Sequence, residues 1–365
     1  MGRSLTLILV VLLVAGCGGD DSADEARSTT TTVAETGPVA AADLTAVKTY
    51  LTDHTAELVG FTEEFRSVAQ DYAALAAGVD HDYARLLSEH RDEVAPLLEQ
   101  AKELWTEGNP YYEQVEGIVA GTPSLAEYDI ILDAGSSKAE DPESAVPFDL
   151  ELADGRVLEQ PGNLYNLTEG MLWGTRPDYT ADVQADLDAD GTAAFGEALP
   201  DAHVFAAAAD AFDRYAGELH EKSQAWQPTP SDAFTSLVVM VPTMTEYFGQ
   251  WKESRFVRGD AATSDSFNVV SRLSDIGDII SGLEVVYAGV EPAIAEVDGA
   301  GASQTKDELA GLASFIGDLR EQESAGRRYT PEQADQLGVE AQERGTAIAG
   351  QVTQQAAQLD VEIQQ

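Results

Sequence analysis

The sequence predicts an all-α fold, two helical bundles packed into one domain with a single small β-hairpin, and three observations carry that prediction. Apolar residues recur at threes and fours through most of residues 43–365, which is the period of an amphipathic helix. Helix starts are marked, as where Thr330 precedes Pro331 and Glu332. Only one stretch, near residues 147–158, alternates with period two before a turn.

In chain order, the first segment is an apolar run from Leu5 to Val14 behind Arg3. It is too short to span a bilayer as a stable helix and reads as a secretory leader, residues 1–16. The string Leu13-Val14-Ala15-Gly16-Cys17 resembles the bacterial lipobox, which implies cleavage before Cys17 and acylation of that residue; an ordinary signal peptide that happens to end near a Cys is the alternative. Cys17 is the sole cysteine, so no disulfide cross-links the chain. Residues 17–42 are Gly, Asp, Ser, Thr and Ala with almost no large apolar side chain, a disordered tether unable to bury enough surface to fold.

The domain follows over residues 43–365. Helices are expected at roughly 43–77, 79–106 and 123–134, then at 163–174, 230–256 and 302–324. A stripe Phe205, Ala208, Phe212, Tyr215, Leu219, Trp226 marks another. The longest stripe runs from Phe267 through Ile276, Leu283 and Val290 to Val297, all on one face. The C-terminal helix repeats the pattern with Leu337, Ala341, Ile348, Val352, Leu359 and Ile363. Between them Pro147 to Leu152 alternates, Ala153-Asp154-Gly155 turns, and Arg156-Val157-Leu158 returns as the second arm of the hairpin.

With 65 Asp and Glu against 21 Lys and Arg, of which six are Lys, the formal charge is −44. That field repels polyanions and excludes nucleic acid as a partner, leaving cations and basic surfaces as ligands. Such acidity also arises as a whole-proteome adaptation to salt, so it constrains partners without naming one.

The most specific motif is Asp186-Leu187-Asp188-Ala189-Asp190-Gly191-Thr192, ending at Glu197, which fits the calcium-loop pattern D-x-[DN]-x-[DN]-G-x5-E. Asp186, Asp188 and Asp190 aim carboxylates inward, Gly191 permits the sharp turn, Thr192 offers its carbonyl and Glu197 closes the shell. Ala193 and Pro200 depart from a full helix–loop–helix hand, so the reading is a structural Ca2+ site, with a solvated acidic turn as its alternative.

A second constellation is Asn163-Leu164-Tyr165-Asn166-Leu167-Thr168-Glu169-Gly170-Met171-Leu172-Trp173-Gly174. It resembles the motif of imelysin-like proteins, which include EfeO-type periplasmic iron-uptake components: Glu169, Leu172, Trp173 and Gly174 match, while Asn166 stands where the family has His. Trp251 to Phe256 and Tyr329-Thr330-Pro331 are similar in character, and the likeness covers roughly residues 43–360. It implies an imelysin-like helical domain and a metal site at Asn166 and Glu169.

The residues agree in part. Three positions apart on a helix, Asn166 and Glu169 share a face and present oxygens to one cation. Asn in place of His exchanges a borderline nitrogen for a hard carbonyl oxygen, which weakens iron or zinc binding and favours harder ions. The alternative is that Glu169 caps a helix or pairs with an Arg such as Arg176 or Arg255. Glu127, Asp129 and Asp133 put two carboxylates one turn apart, a cation seat or a solvated helix face. Glu246 and Tyr247 complete the site if the bundles pack face to face.

The five histidines, His54, His81, His90, His203 and His220, have no partner His three or four residues away. Neither H-E-x-x-H, G-x-S-x-G nor a phosphate loop is present, so an enzyme, and peptide hydrolysis in particular, is not expected. The expectation is a lipid-anchored protein at the outer face of the bacterial cytoplasmic membrane that binds a cation as an accessory of iron or other metal uptake and hands it to a membrane permease. An envelope interaction lipoprotein with only a structural calcium site is the competing reading.

Overall fold

The computed structural model describes residues 37–183 and 185–364. Cys17, the leader and most of the tether lie outside the described residues. Pro38–Ala41, expected within the tether, form a 3-10 turn. The amide of Asp43 then bonds to the carbonyl of Gly289 at 2.9 Å and seats the chain on the longest helix.

Helix α1 (Thr45–Gly78) buries Val47, Leu51, Leu58, Phe61, Phe65, Val68, Tyr72 and Ala76, the face its threes-and-fours spacing demands. Asp80 and His81, both at positive φ, reverse the chain. Helix α2 (Tyr83–Gly121) starts at the cap Asp82, whose Oδ1 accepts the Arg85 amide at 3.0 Å.

Helix α2 does not stop near 106 as expected but runs on through Gly108 and Pro110. Packing explains why. A Cβ on Gly108 would lie 2.4 Å from the Phe61 ring, and one on Gly121 would lie 2.4 Å from the Ser236 Cα. Glycine, which reads as a helix end in sequence, here lets neighbouring helices approach.

Helix α3 (Ala126–Asp129) passes directly into a π turn at Ile130–Ala134, closed by the Gly135 amide on the Ile130 carbonyl at 3.0 Å. The expected hairpin forms: β1 (Leu150–Glu151) pairs antiparallel with β2 (Val157–Leu158), Leu150 opposite Leu158, and Gly155 turns at positive φ. Helix α4 (Leu164–Trp173) begins at Asn163, whose Oδ1 accepts the Asn166 amide at 2.9 Å, and ends at left-handed Gly174. Helix α5 (Ala202–Ala225) follows the acidic loop and sets Phe212 edge-on against Phe61 and Tyr165.

The helix expected over 230–256 is divided into α6 (Pro230–Met240), α7 (Met244–Glu253) and α8 (Arg255–Arg258). Pro242, between the first two, has no amide with which to continue the ladder. The stripe from Phe267 and the helix expected at 302–324 instead form one helix, α9 (Arg272–Ser324), bent at Asp298. There Asp298 leaves helical geometry and its Oδ1 caps the Gly301 amide at 2.9 Å, an N-cap inside the helix. Phe267, at positive φ, and Val270 precede the helix. Helix α10 (Pro331–Gln358) opens with a capping box between Thr330 and Gln333.

Helices α1, α2 and α5 form one group and α6, α7, α9 and α10 the other, with the α2–α9 contact joining them. The architecture is all-α with one hairpin. Among the described residues no helix is long and apolar enough to cross a membrane.

Candidate functional site: a carboxylate cleft between the helix groups

Where α2 crosses α9, one face of α2 is polar although it is buried. Asn109, Tyr112, Glu113 and Glu116 follow one another at helical spacing, and Glu113 and Glu116 are 1% and 3% exposed. The π turn supplies Asp133, 5% exposed, and Asp129 on the preceding turn. The first turn of α9 supplies Arg272 and Asp275, both 2% exposed. Helix α7 adds Tyr247 and Gln250 and, at the rim, Glu246.

Arg272 organises this cluster. One terminal nitrogen lies 3.3 Å from Glu113 and 3.2 Å from Asp275, the other 3.2 Å from Asp133, and Nε donates to Gln250 at 2.8 Å. Its carbon lies 4.6 Å from the Tyr247 ring centre and 4.3 Å from that of Phe267. Burial works against this charge, but Asp133, Glu113, Glu116 and Asp275 outweigh it and hold the guanidinium well above its ordinary range.

The carboxylates feel the opposite balance. Burial pushes Glu116 up to about 7 and Asp275 up to about 6, each against the attraction of Arg272. Burial, then repulsion from neighbouring acids, raises Glu113 and Asp129 well above the carboxylate range. The Tyr112 hydroxyl donates to Asp129 at 2.8 Å and the Tyr247 hydroxyl to Glu116 Oε1 at 2.8 Å. Glu116 Oε2 is buried without a hydrogen-bond partner. Since a buried charged oxygen left unpaired is costly, this atom marks a place for a proton or a cation.

Above these groups opens a cavity of about 490 Å3 with Glu116, Asp129, Asp133 and Arg272 along its wall, Asn166 and Glu246 beside them, and the segment Thr263–Phe267 opposite. Every donor atom that carries negative charge here is oxygen. Such a set suits Mg2+, Ca2+, Mn2+ or Fe3+ better than soft ions.

The structure unites some of the sequence candidates and separates others. Asp129, Asn166 and Glu246 line one cavity, whereas Glu127 is exposed on the outer side of α3 and lies outside it. The π turn, not a regular helix, sets the spacing of Asp129 from Asp133. Glu169 is not on the cavity wall: Oε2 accepts the Phe267 amide at 2.9 Å and Oε1 the Asn268 amide at 2.7 Å. The expected sharing of one ion by Asn166 and Glu169 is therefore replaced by a capping role for Glu169. The arginines weighed as its partners are engaged elsewhere, Arg176 with Glu140 and Arg255 with Asp260. Burial pushes Glu169 up to about 7 against the opposing pull of these amides.

In the acidic loop, oxygens of Asp186, Asp188 and Asp190 lie within 4.8 Å of one another, and Asp186 Oδ1 has no hydrogen-bond partner. Thr192 donates through its amide and hydroxyl to Asp190. Glu197 departs from the expected geometry. Its Oε1 accepts the amides of Leu187 at 2.7 Å and Asp188 at 3.1 Å, and its Oε2 that of Ala194 at 2.7 Å, so it closes the loop through backbone instead of facing the three aspartates.

Glu113, Glu116, Arg272 and Asp275 escape a reading by motif. The available signal was polar residues repeating at helical spacing on the apolar face of α2, which an assumed helix end at 106 hides. His81 and His203, 122 positions apart, stack at 4.1 Å, a pairing that local spacing does not reveal.

Fold and cleft together define an all-helical protein with a buried carboxylate cluster between two helix groups. A family model described as Peptidase M75: Imelysin matches residues 61–359, and the chain belongs to the imelysin family. No curated protein matches it.

Proposed function

We propose that the protein binds a hard, oxygen-preferring cation in the cleft and serves as an accessory of iron or other metal uptake, held at the outer face of the cytoplasmic membrane by acylated Cys17. It presents the ion to a membrane permease. The observation that carries this reading is Glu116 Oε2, buried and unpartnered, beside Asp129 and Asp133 on the wall of one cavity. The link of the imelysin family to iron uptake and periplasmic proteins supports the biological setting. Although the family bears a peptidase name, binding fits better than cleavage: Asn166 replaces the family's His and Glu169 is committed to two amides, which leaves no base poised beside a water.

A second reading keeps the protein as an envelope interaction lipoprotein with structural Ca2+ in the 186–197 loop. The convergence of Asp186, Asp188 and Asp190 supports calcium there under either reading. Metal content and titration with Mn2+, Fe3+, Zn2+ and Ca2+ separate the two. The uptake reading requires an ion lost in Glu116→Gln or Asp129→Asn and kept when Asp186 and Glu197 are both changed to Ala. If the loop alone binds, the cleft reading fails and the interaction reading stands.

A further inference from the structure

Resting on the cleft reading, a deeper inference concerns why one cation of this cluster is covalently attached. Arg272 lies where a free ion would otherwise be expected. Its terminal nitrogens meet Glu113, Asp133 and Asp275 at 3.2 to 3.3 Å, and two aromatic rings flank it. Oxygens of Glu113, Glu116 and Asp133 lie within 4.8 Å of one another. That spread is the one expected around a single Ca2+-sized ion, whose ligand oxygens stand about 2.3–2.6 Å from its centre. Five carboxylates, Glu113, Glu116, Asp129, Asp133 and Asp275, thus surround a single guanidinium, and one of their oxygens, Glu116 Oε2, has no partner although its residue is only 3% exposed.

We propose that the cluster comprises two adjoining cation seats that share Asp133: an inner one between Glu113, Asp133 and Asp275, filled by Arg272, and an outer one at Glu116, Asp129 and Asp133, open to the cavity for one exchangeable divalent ion. Arg272 is then the residue that fixes the stoichiometry. A guanidinium is planar, permanently charged and weakly hydrated, so it fills a dry carboxylate seat at less desolvation cost than a small hydrated ion. The rings of Tyr247 and Phe267 sandwich it and prevent it from swinging out when an ion arrives. The Gln250 bond to Nε fixes its roll. The geometry therefore builds a site for one ion from a set of acids large enough for two.

The test is Mn2+ stoichiometry by equilibrium dialysis and metal analysis, in protein whose Asp186 and Glu197 are changed to Ala so that the acidic loop contributes nothing. The unaltered cleft is expected to hold one Mn2+, Arg272→Ala two, and Arg272→Lys one, since the ammonium still fills the inner seat. Mn2+ should raise the melting temperature of Arg272→Ala by more than that of the parent. One ion in both the parent and Arg272→Ala, with equal melting shifts, overturns the two-seat inference and leaves the cleft reading intact. No Mn2+ in the parent overturns the cleft reading itself. Where Arg272→Ala fails to fold without metal, refolding with Mn2+ decides: recovery of two-ion protein supports the inference, and failure to recover while Arg272→Lys folds and binds one ion overturns it.

Discussion

The backbone amide of Asn268 donates to Glu169 Oε1 at 2.7 Å, and the neighbouring amide of Phe267 takes the other oxygen at 2.9 Å. A motif carboxylate thereby holds the turn that sets Phe267, at positive φ, over the Arg272 guanidinium. Glu169 thus acts on the cleft through a loop. Glu169→Gln keeps one acceptor and turns an amide donor toward a backbone N–H. We expect a loss of about 1–3 kcal/mol in urea unfolding and weaker cation binding through a displaced Phe267. Unfolding midpoints together with the near-ultraviolet circular dichroism of the cleft aromatics check this; unchanged stability would show that the two amides do not depend on the carboxylate.

The same residue gives the metal-free protein a signed pH dependence. Glu169 titrates at about 7 in the folded state against an ordinary value of 4.5, so the folded state holds its proton more tightly. Stability from this group is fully present below the ordinary value and is lost as pH rises through about 7. The whole loss is about 3 kcal/mol at 1.36 kcal/mol per unit. Glu116 and Asp275, raised to about 7 and about 6, act in the same direction. Urea midpoints between pH 5 and 8 should fall in the parent and fall less in Glu169→Gln; a midpoint that rises over this range contradicts the assignment.

Cation binding should depend on the buried oxygens and not on the rim. Glu116→Gln and Asp129→Asn are each expected to weaken Mn2+ binding at least tenfold, as loss of a charged ligand does, whereas Glu127→Gln, exposed and off the cavity, should change it less than twofold. Calorimetric titration of the three variants distinguishes the cleft from general acidity, which would make all three alike.

In the acidic loop two residues of one motif should behave differently. Glu197 accepts three backbone amides, so Glu197→Ala should lower stability by about 1–3 kcal/mol even with calcium chelated. Asp186, whose Oδ1 has no partner, should matter only when calcium is present. Melting temperatures of both variants with Ca2+ and with a chelator make the comparison; an Asp186→Ala deficit that persists under chelation removes the calcium role.

Much of this molecule is legible from local signals, and the rest fails for identifiable reasons. The α1 and α5 stripes, the Thr330 cap and the Leu150–Leu158 pairing all depend on neighbours a few residues apart, where period and capping chemistry suffice. The candidate site does not. Glu113 and Arg272 meet across 159 positions, and Asp133 and Arg272 across 139, so no spacing rule joins them. The π turn is equally silent, because Asp129 and Asp133 look like one turn of ordinary helix until the Gly135 amide is seen to bond five residues back. Asn166 and Glu169 were paired by helical spacing, and the turn at Phe267–Asn268, which captures Glu169, came from a distant segment.

The helix end misplaced near residue 106 leads to the last prediction. Gly108 is helical, so alanine there should improve intrinsic helix propensity by about 1 kcal/mol. The added Cβ would, however, stand 2.4 to 2.5 Å from three atoms of the Phe61 ring. Phe61 is 5% exposed and its ring packs against Phe65 and Phe212, so it has little room to retreat. Overpacking of this kind costs about 1–3 kcal/mol and should outweigh the propensity gain. Because Asn109, Glu113 and Glu116 lie within the next turns of α2, the strain should also displace the cleft and weaken Mn2+ binding. Gly60→Ala, on an open helix face with nothing within 4 Å, is the matched control and should stabilise the protein. If both alanine variants raise the melting temperature alike, close approach of α1 and α2 is not what carries α2 past Gly108.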